Sequence, residues 1–490
     1  MSLATIANGY VADGVKFTPR MRVVNDEQIK LLQAAVFELL ERVGVKMSYK
    51  PGLEVMAGAG CRVDGNIVRI PAYVLEKAIA TAPKRLVLAD RDGNRNVVLE
   101  PGRTYFGPSI DCIYYQDPVT NKRTRFTSKH GEALAALTEH LDSFTWIMTI
   151  GMADDFPPKA GDKIINRWAL QNCSKPLVFC SGQHVESVKA VHEMAMILVG
   201  GKENFDKNPN IVHYSEPISP LVYYDPAVAN IIYCAENNIP LLNFPCTSSC
   251  GTGPATMAGT IVQSAAESLS GIVLQQTIAP GANFVFGGFS SAMNMKSTIF
   301  SYGQPEMTTM IAALSQMAQA WGLPFFATGG CTDAKFNDAQ AAAETALQCM
   351  TLAAVGAGLV HDCAAWIDHG TTSSPGFMVL VNEILANVAA VMKGLEVSRE
   401  TLALDVIAKV GNGGNFLREK HTLKHFKEYH MTDDLWDRTM METWEANGSK
   451  QFEQRLSEKT VKLMAKPPKP IDPKIVAEFD KMQAGWSKQK

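Results

Sequence analysis

The chain has 490 residues, which is enough for about three average domains or for one α/β barrel with additional segments. With 46% hydrophobic and 19% charged residues it can bury a large core, and this composition excludes an intrinsically disordered protein. Its 46 Lys and Arg against 49 Asp and Glu give a net charge of -3, so no overall positive field favours nucleic acid as a partner.

The first hundred residues predict a small α+β region. Residues 25–44 place apolar side chains on one helical face, between residues typical of helix caps. A second helix is predicted near 72–82, and two short β-prone runs flank a turn at Asp92. We therefore expect an N-terminal α+β cap over residues 1–103.

Residues 104–393 alternate short apolar runs with helical stretches. Eight such runs are present, at residues 104–107, 144–151, 177–181, 211–215, 240–245, 283–289, 324–328 and 358–363. Near-continuous apolar strands alternating with helices predict a parallel sheet covered by helices, and eight units are the number that closes a (β/α)8 TIM barrel. A doubly wound α/β sheet is the main alternative. The polar, helical residues 394–490 predict a C-terminal helical extension.

Targeting and metal signals are weak in this sequence. The start of the chain lacks the basic end and apolar stretch of a signal peptide, and the longest apolar run is broken by polar residues, so a soluble, cytoplasmic protein is expected. The ten cysteines are expected to be reduced. Cys246 and Cys250 have no paired Cys or His at metal-ligand spacing, so no metal site is predicted.

The predicted barrel places the chemistry where its strands end. The residues that follow the apolar runs are mainly aromatic and acidic, with almost no Lys or Arg, and they include Glu216, Asp333, His361 and Asp362. Ring faces and carboxylates attract ammonium groups and disfavour phosphates, so this pattern favours a cationic substrate. Structural roles compete with these assignments, because a lone His is more often a hydrogen-bonded core residue.

Several blocks in order resemble one known family. They include CGTGPATMAGTIVQSAAESLSGIVLQQTIAPGANFVFGG, SYGQPEM, WGLPFFATGGCTDAKFNDAQAAAE and AVGAGLVHD, followed by LEVSRETLALDVIAKVGNGGNFLREKHTLKHF. The chain resembles the trimethylamine:corrinoid methyltransferase superfamily over nearly its whole length. The resemblance is to the branch without pyrrolysine, and Cys331 aligns with the position that pyrrolysine takes at the barrel mouth of the archaeal enzymes.

The resemblance implies a barrel that moves a methyl group from an amine to the Co(I) corrinoid of a separate partner protein. No cofactor would then be bound by this chain. Glycine betaine is the donor best known for this branch, with proline betaine, carnitine and trimethylamine as alternatives. A quaternary ammonium is already activated, because loss of its methyl group releases a neutral amine and formally requires no general acid or base.

Charge then assigns roles to the residues at the strand ends. The rings expected to hold a trimethylammonium group are Tyr105, Phe106, Phe289, Trp366 and Phe377. His361 and the backbone around Gly330 and Cys331 would bind a betaine carboxylate, and Asp333 and Glu216 would set a negative field. Any of these rings and acids is also compatible with a purely structural role.

Two other function classes stay open at this point. One is a barrel lyase or hydrolase that uses His361, Asp362 and Glu216 as acid–base groups, by analogy of fold. The other is a non-catalytic barrel that binds quaternary amines. A homo-oligomer is compatible with the sequence, since barrel enzymes of this size often dimerise, but the sequence fixes no symmetry.

Overall fold

A curled parallel sheet of seven strands forms the centre of the computed structural model, which describes residues 10–11, 14–182, 184–428 and 435–486. In chain order the strands are β1 (Thr104–Phe106), β2 (Leu177–Cys180), β3 (Ile211–Ser215), β4 (Leu241–Asn243), β5 (Phe284–Gly287), β6 (Phe325–Thr328) and β7 (Gly358–His361). They lie side by side in the order β2, β3, β4, β5, β6, β7, β1. Each coincides with a predicted apolar run, because strands covered on both faces are apolar throughout.

The two edges of this sheet, β1 and β2, are joined by the chain around residues 144–147. Phe144 forms a parallel bridge with Phe106, and Ile147 forms one with Leu177. A regular strand was predicted over 144–151, but the structure has only isolated bridges there: these two and a third between Gly151 and Cys112. The extended chain ends at Ile150, which adopts a left-handed conformation with φ of 61°.

Helices cover the outside of the sheet. Those that follow the strands and their loops are Ser128–Glu139, Pro158–Asn172, Val185–Val199, Lys202–Lys207, Asp225–Glu236, Met257–Ile278, Pro305–Trp321, Ala339–Val355 and Pro375–Met392. Within the described ranges, Pro375–Met392 is the one helix long and apolar enough to cross a membrane. More than half of it is buried, and it packs on Ala339–Val355, as the core helix of a soluble protein does.

The N-terminal region combines three helices with short strands. Its helices are Asp26–Arg42, Lys50–Gly58 and Ala72–Thr81, and the first begins in a capping box between Asn25 and Gln28. Strands Leu86–Leu88 and Val97–Leu99 form an antiparallel hairpin. The Ala89 amide donates to Pro209 O, just before β3 begins, so the hairpin covers the amino end of the sheet.

A further small sheet joins this region to the barrel. Strands Val45–Met47, Arg62–Asp64 and Ile67–Arg69 pair with one another and with Val222–Tyr223, which follows β3.

Additional strands lie beyond the carboxyl end of the main sheet. Cys246–Ser249 pairs in parallel with Phe289–Asn294, which pairs antiparallel with Ile299–Phe300. A second ribbon consists of Tyr114–Gln116, Arg123–Arg125 and Thr372–Ser373. The loops that carry the candidate site are therefore held by their own hydrogen-bond ladders.

The last hundred residues begin with a strand. Leu395–Ser398 pairs antiparallel with Gly14–Phe17, which also pairs with Tyr10–Val11. Short helices follow at Arg399–Leu402, Leu404–Val410, Lys420–His425 and Met441–Ala446, with a 3-10 turn at Phe426–Glu428, and longer helices at Phe452–Met464 and Pro473–Trp486. Residues 1–9 and 12–13 of the predicted cap, Gln183, and residues 429–434 and 487–490 of the predicted extension lie outside the described residues.

Candidate active site

A layer of rings fills the carboxyl end of the main sheet around His361, the last residue of β7. The centroid of the His361 ring lies 4.6 Å from that of Phe326, 4.9 Å from Phe244 and 6.2 Å from Tyr214. His361 is only 2% exposed, and burial holds its pKa well below the ordinary value. Its Nε2 lies 2.6 Å from Oγ1 of Thr328. His361 is therefore a neutral, engaged imidazole.

A second group of rings lies beside this layer. The Tyr302 ring centroid is 5.5 Å from that of Phe289 and 4.9 Å from that of Trp366, and Phe289 is 4.8 Å from Phe300. Trp366 is also within 6.3 Å of His361, so the two groups are continuous. Offset and tilted rings at these separations present faces and edges on which an organic cation can rest.

Asp333 holds the loop that carries Tyr302. Its carboxylate accepts hydrogen bonds from the Tyr302 amide at 2.9 Å, the Gly303 amide at 3.1 Å and the Ser301 hydroxyl. On the other side, Nδ1 of His369 lies 2.8 Å from Oδ1. With these partners the carboxylate holds the aromatic loop in position.

Three carboxyl groups influence one another at this end of the sheet. Burial and the charge of Asp111 raise the pKa of Glu216 to about 7. Burial raises the pKa of Asp362 well above its usual value, with further contributions from Asp111 and Glu216. Asp111 is itself accessible to solvent, yet enclosure by protein and the charge of Asp162 raise its pKa to about 6. We call the region that these acids and the two groups of rings border the well.

Asp362 is the most unusual of these acids. Its side chain is fully buried, and neither carboxyl oxygen has a hydrogen-bond partner among the described residues. Oδ1 lies 2.9 Å from Nδ1 of His361, but the two groups are not aligned for a hydrogen bond. A buried polar group without a partner costs free energy, and such groups are typical of sites that bind a ligand.

Backbone strain is concentrated at the same end of the sheet. Asp111, Ile150, Asp362 and Ala365 all have φ between 60° and 64°. This conformation is unfavourable for residues other than glycine and especially for a β-branched one such as Ile150. Strain of this kind persists only where surrounding contacts enforce it, and it is common at functional sites.

Basic side chains contribute little to this well. Of Asp111, Asp162, Glu216 and Asp362, only Asp162 has cations, His184 and Lys163, as neighbours among the described residues. They act to lower its pKa, but burial has the larger effect and the pKa is raised overall. Lys335 donates to Asp333 O and lies 3.0 Å from His369 Nε2. Within the described part of the chain, no three His, Cys, Asp or Glu side chains are grouped so that they could hold a metal ion.

The structure brings some of the predicted site residues together. His361, Asp362, Glu216, Phe289 and Trp366 meet around the well, as described above. Cys331 is adjacent, with its Sγ 4.0 Å from Tyr302 O, and burial raises the pKa of its thiol well above the usual value, which disfavours the thiolate. The Gly330 amide donates to Gln348 Oε1 at 2.7 Å and is therefore occupied.

Three predicted rings lie elsewhere. The Tyr105 hydroxyl is 3.2 Å from the backbone N and O of Val98, in the hairpin at the amino end of the sheet. Phe106 faces outward into a pocket of about 430 Å³ that Leu385 also lines. Phe377 is fully buried in the apolar cluster around helix Pro375–Met392. Tyr105 and Phe106 lie on β1, and Phe377 lies on the inner face of its helix. None of these three contacts involves the acids of the well.

Sequence reasoning missed Tyr302 and Asp111. Tyr302 follows a strand of the additional sheet and folds back over the well, so no apolar run of the main sheet ends beside it. Asp111 lies several residues after β1, in a loop that the counted runs do not reach. The signal available for both was composition: a Tyr in the matched block SYGQPEM and an acid in an apolar loop.

Comparison with known proteins places this site in a family. The model of the trimethylamine methyltransferase (MTTB) family matches residues 5–484. The chain belongs to this family. It is a methyltransferase, and the MTTB match covers the central sheet together with the N- and C-terminal regions.

Curated MTTB-like relatives align over nearly their full length. The chain is 31% identical to trimethylamine methyltransferase MttB of Desulfitobacterium hafniense (strain DSM 10664 / DCB-2), over 92% of this chain and 91% of that protein. It is 29% identical to a glycine betaine methyltransferase of D. hafniense (strain Y51), over 96% and 98%. Monomethylamine methyltransferase of Methanosarcina barkeri, a solved structure, aligns with a TM-score of 0.46 and 12% identity over 92% and 95%.

Proposed function

We propose that this chain moves a methyl group from a quaternary ammonium compound to the reduced corrinoid of a separate protein. The reaction would take place at the mouth of a (β/α)8 barrel formed by residues 104–393, with residues 1–103 and 394–490 as flanking regions. The observation that carries the proposal is the combination of the Phe289, Tyr302 and Trp366 rings with the carboxyl groups of Glu216 and Asp362.

The rings and the acids contribute to substrate binding in different ways. A trimethylammonium group over a ring face gains roughly 0.5–2 kcal/mol, more where water is excluded. The carboxyl groups raise the local concentration of cations and disfavour anions. Both effects act on the bound substrate as well as on the transition state, so they contribute more to binding than to the rate.

Methyl transfer from a quaternary ammonium compound needs no general acid or base from the chain. The leaving group is a neutral tertiary amine, so no side chain has to deliver a proton. A neutral His361 and a protonated Asp362 agree with this, since both would exclude water and fix geometry. A reduced corrinoid would supply the nucleophile when its carrier protein is docked. The task left to the chain is to hold the methyl group toward the open end of the well.

The loops around the well fit a docked partner. Exposed apolar side chains follow several strand ends: Ile113 is 39% exposed, Met152 48%, Ile218 53% and Met295 68%. Apolar side chains grouped around a functional opening are typical of an interaction surface. A carrier protein seated there would also shield the well from water.

The acid–base alternative has less support. His361 and Asp362 are adjacent, as a lyase or hydrolase would require. However, Thr328 occupies Nε2 of His361, and burial lowers the pKa of the ring so far that it is a weak base. Asp362 has no route to a nucleophile among the described hydrogen bonds.

A direct assay tests the proposal. Purified protein is mixed anaerobically with Co(I) cobalamin and a panel of amines, and methyl–cobalt formation is followed by absorbance. We expect methylcobalamin with at least one quaternary amine. Absence of methylcobalamin with every quaternary amine in the panel would contradict the proposal.

A matched pair of variants links the activity to the rings. Phe289→Leu should weaken tetramethylammonium binding about 2- to 30-fold, because it removes one ring face from the site. Phe106→Leu is the control, since Phe106 faces the outer pocket beside Leu385. Equal effects of the two substitutions would separate the rings from substrate binding.

A further inference from the structure

The charges around the well affect which substituent the ammonium nitrogen of the substrate can carry besides its methyl groups. Glu216 directly follows β3, Asp362 directly follows β7, and Asp111 lies in the loop after β1. Three acids that follow separate strands therefore interact at one end of the sheet. Asp362 is fully buried, and both of its oxygens are unpartnered among the described residues.

Glycine amides at the ends of the central strands are already engaged within the protein. The Gly287 amide donates to Ser268 Oγ at 3.1 Å, and the Gly329 amide donates to His361 O at 3.1 Å. The Gly330 amide donates to Gln348. These three glycine amides lie at the ends of β5 and β6, and each is used within the protein rather than in an anion-binding turn.

The described side chains near these acids supply no compensating cation: burial and neighbouring acids are the causes that raise the pKa of Glu216, Asp111 and Asp362. His361 is bonded at Nε2 to Thr328, and its Nδ1 faces Asp362 without forming a hydrogen bond. Nε1 of Trp366 has no partner, but the ring edge that carries it packs directly against Gly370, where a Cβ would come within 2.0 Å of Nε1. Lys335 is bound to Asp333 and His369 on the rim.

The structure assigns this well to quaternary ammonium compounds whose remaining substituent carries no carboxylate, such as an alkyl or hydroxyalkyl group. The assignment rests on the proposed function and narrows it. It departs from glycine betaine, proline betaine and carnitine, whose carboxylates would meet the charges of Glu216 and Asp111 without a compensating cation. Like charges placed together are a strong device for rejecting a competing ligand.

Choline and glycine betaine provide a matched test. They share the trimethylammonium head and nearly the same length, and they differ in a hydroxymethyl group against a carboxylate. Binding of each to the full chain is measured by calorimetry at pH 8, with tetramethylammonium as the head group alone. We expect choline and tetramethylammonium to bind at least about tenfold more tightly than glycine betaine. Equal or tighter binding of glycine betaine overturns the inference.

A substitution identifies the cause of the preference. Glu216→Gln removes one charge at constant shape and should reduce the ratio of choline to glycine betaine affinity severalfold. Glu236→Gln is the control, because Glu236 is exposed at the far end of helix Asp225–Glu236, just before β4 begins. An unchanged ratio in Glu216→Gln, or the same change in Glu236→Gln, would contradict the role of the acids.

The proposed function fails in a different way. Selective choline binding with no methylcobalamin from any amine would contradict methyl transfer and keep the assignment of ligand charge. Methylcobalamin formed from glycine betaine faster than from choline would keep methyl transfer and overturn the assignment. Absence of binding by all the cations would overturn both.

Discussion

Single residues in the well carry charges that the fold does not favour. The pKa of Glu216 is raised to about 7, and that of Asp111 to about 6, by enclosure and by neighbouring acids. Between about pH 4 and the raised value, the folded chain therefore binds more protons than the unfolded chain. The free energy of unfolding falls as the pH rises through this window and is then constant. A bound cation would offset the charge, which is what a site for a cation requires.

The stability of a Glu216→Gln variant tests this at the residue scale. Near pH 4 both states of wild-type Glu216 are protonated, so wild type and variant should melt at similar temperatures. At pH 8 the wild type holds an unfavourable charge, and the variant should be more stable by roughly 1–3 kcal/mol. Thermal unfolding followed by circular dichroism at pH 4, 6 and 8 measures the difference. A constant difference at all three pH values would mean that ionisation of Glu216 is not its source.

At the scale of elements, the loop 301–303 depends on a carboxylate from another part of the sheet. Asp333, after β6, binds the amides of Tyr302 and Gly303, while Gln348 Nε2 donates to Tyr302 O at 2.9 Å. These hydrogen bonds therefore couple the position of the Tyr302 ring to the carboxyl end of β6. We therefore expect Asp333 to act on a ligand only through Tyr302.

We expect Asp333→Asn to lower tetramethylammonium affinity about 3- to 10-fold, because an amide replaces one acceptor of the loop and one hydrogen bond is worth roughly 0.5–1.5 kcal/mol. The double variant Asp333→Asn, Tyr302→Leu separates this from a direct charge effect. If Asp333 works through Tyr302, the double variant binds no more weakly than Tyr302→Leu alone. Additive losses in calorimetry would instead place the Asp333 charge in contact with the ligand.

The strands of the main sheet could be predicted from the sequence, but only part of the candidate site could. Seven apolar runs predicted the seven strands, because burial on both faces of a parallel sheet leaves a plain hydrophobic signal. That signal also located His361 and Glu216, which stand directly at strand ends. It could not locate Tyr302, whose loop returns to the well from an additional sheet. Tyr105 and Phe106 were misplaced for a related reason, since a strand of three residues gives no indication of which side chain faces inward.

At the scale of the whole molecule, residues 395–426 form an arm with little core of its own. Its helices Arg399–Leu402, Leu404–Val410 and Lys420–His425 contain no buried residue. Leu404 is 65% exposed, Ile407 51% and Leu417 80%. Helices this short are not stable in water without tertiary contacts, so the arm needs a surface to cover it.

We expect a second copy of the chain to cover the arm. Leu395–Ser398 pairs with Gly14–Phe17 and, among the described strands, with no other, so its second edge is open. An open antiparallel edge is self-complementary and can pair about a two-fold axis with the same edge of another copy. The apolar side chains of both arms would then be buried together.

Light scattering after size-exclusion chromatography measures this association. We expect the wild type to be a dimer or a larger even oligomer at micromolar concentration, and the variant Leu404→Glu, Ile407→Glu to be a monomer, because two carboxylates would be buried in the interface without partners. Leu31→Glu is the matched control, since Leu31 is 71% exposed on helix Asp26–Arg42 and outside the arm. A monomeric wild type, or an oligomer that the double substitution leaves intact, would show that the arm serves another contact.

Because the well lies at the carboxyl end of the main sheet and the arm is a separate structure, we expect the monomeric variant to bind tetramethylammonium as the wild type does.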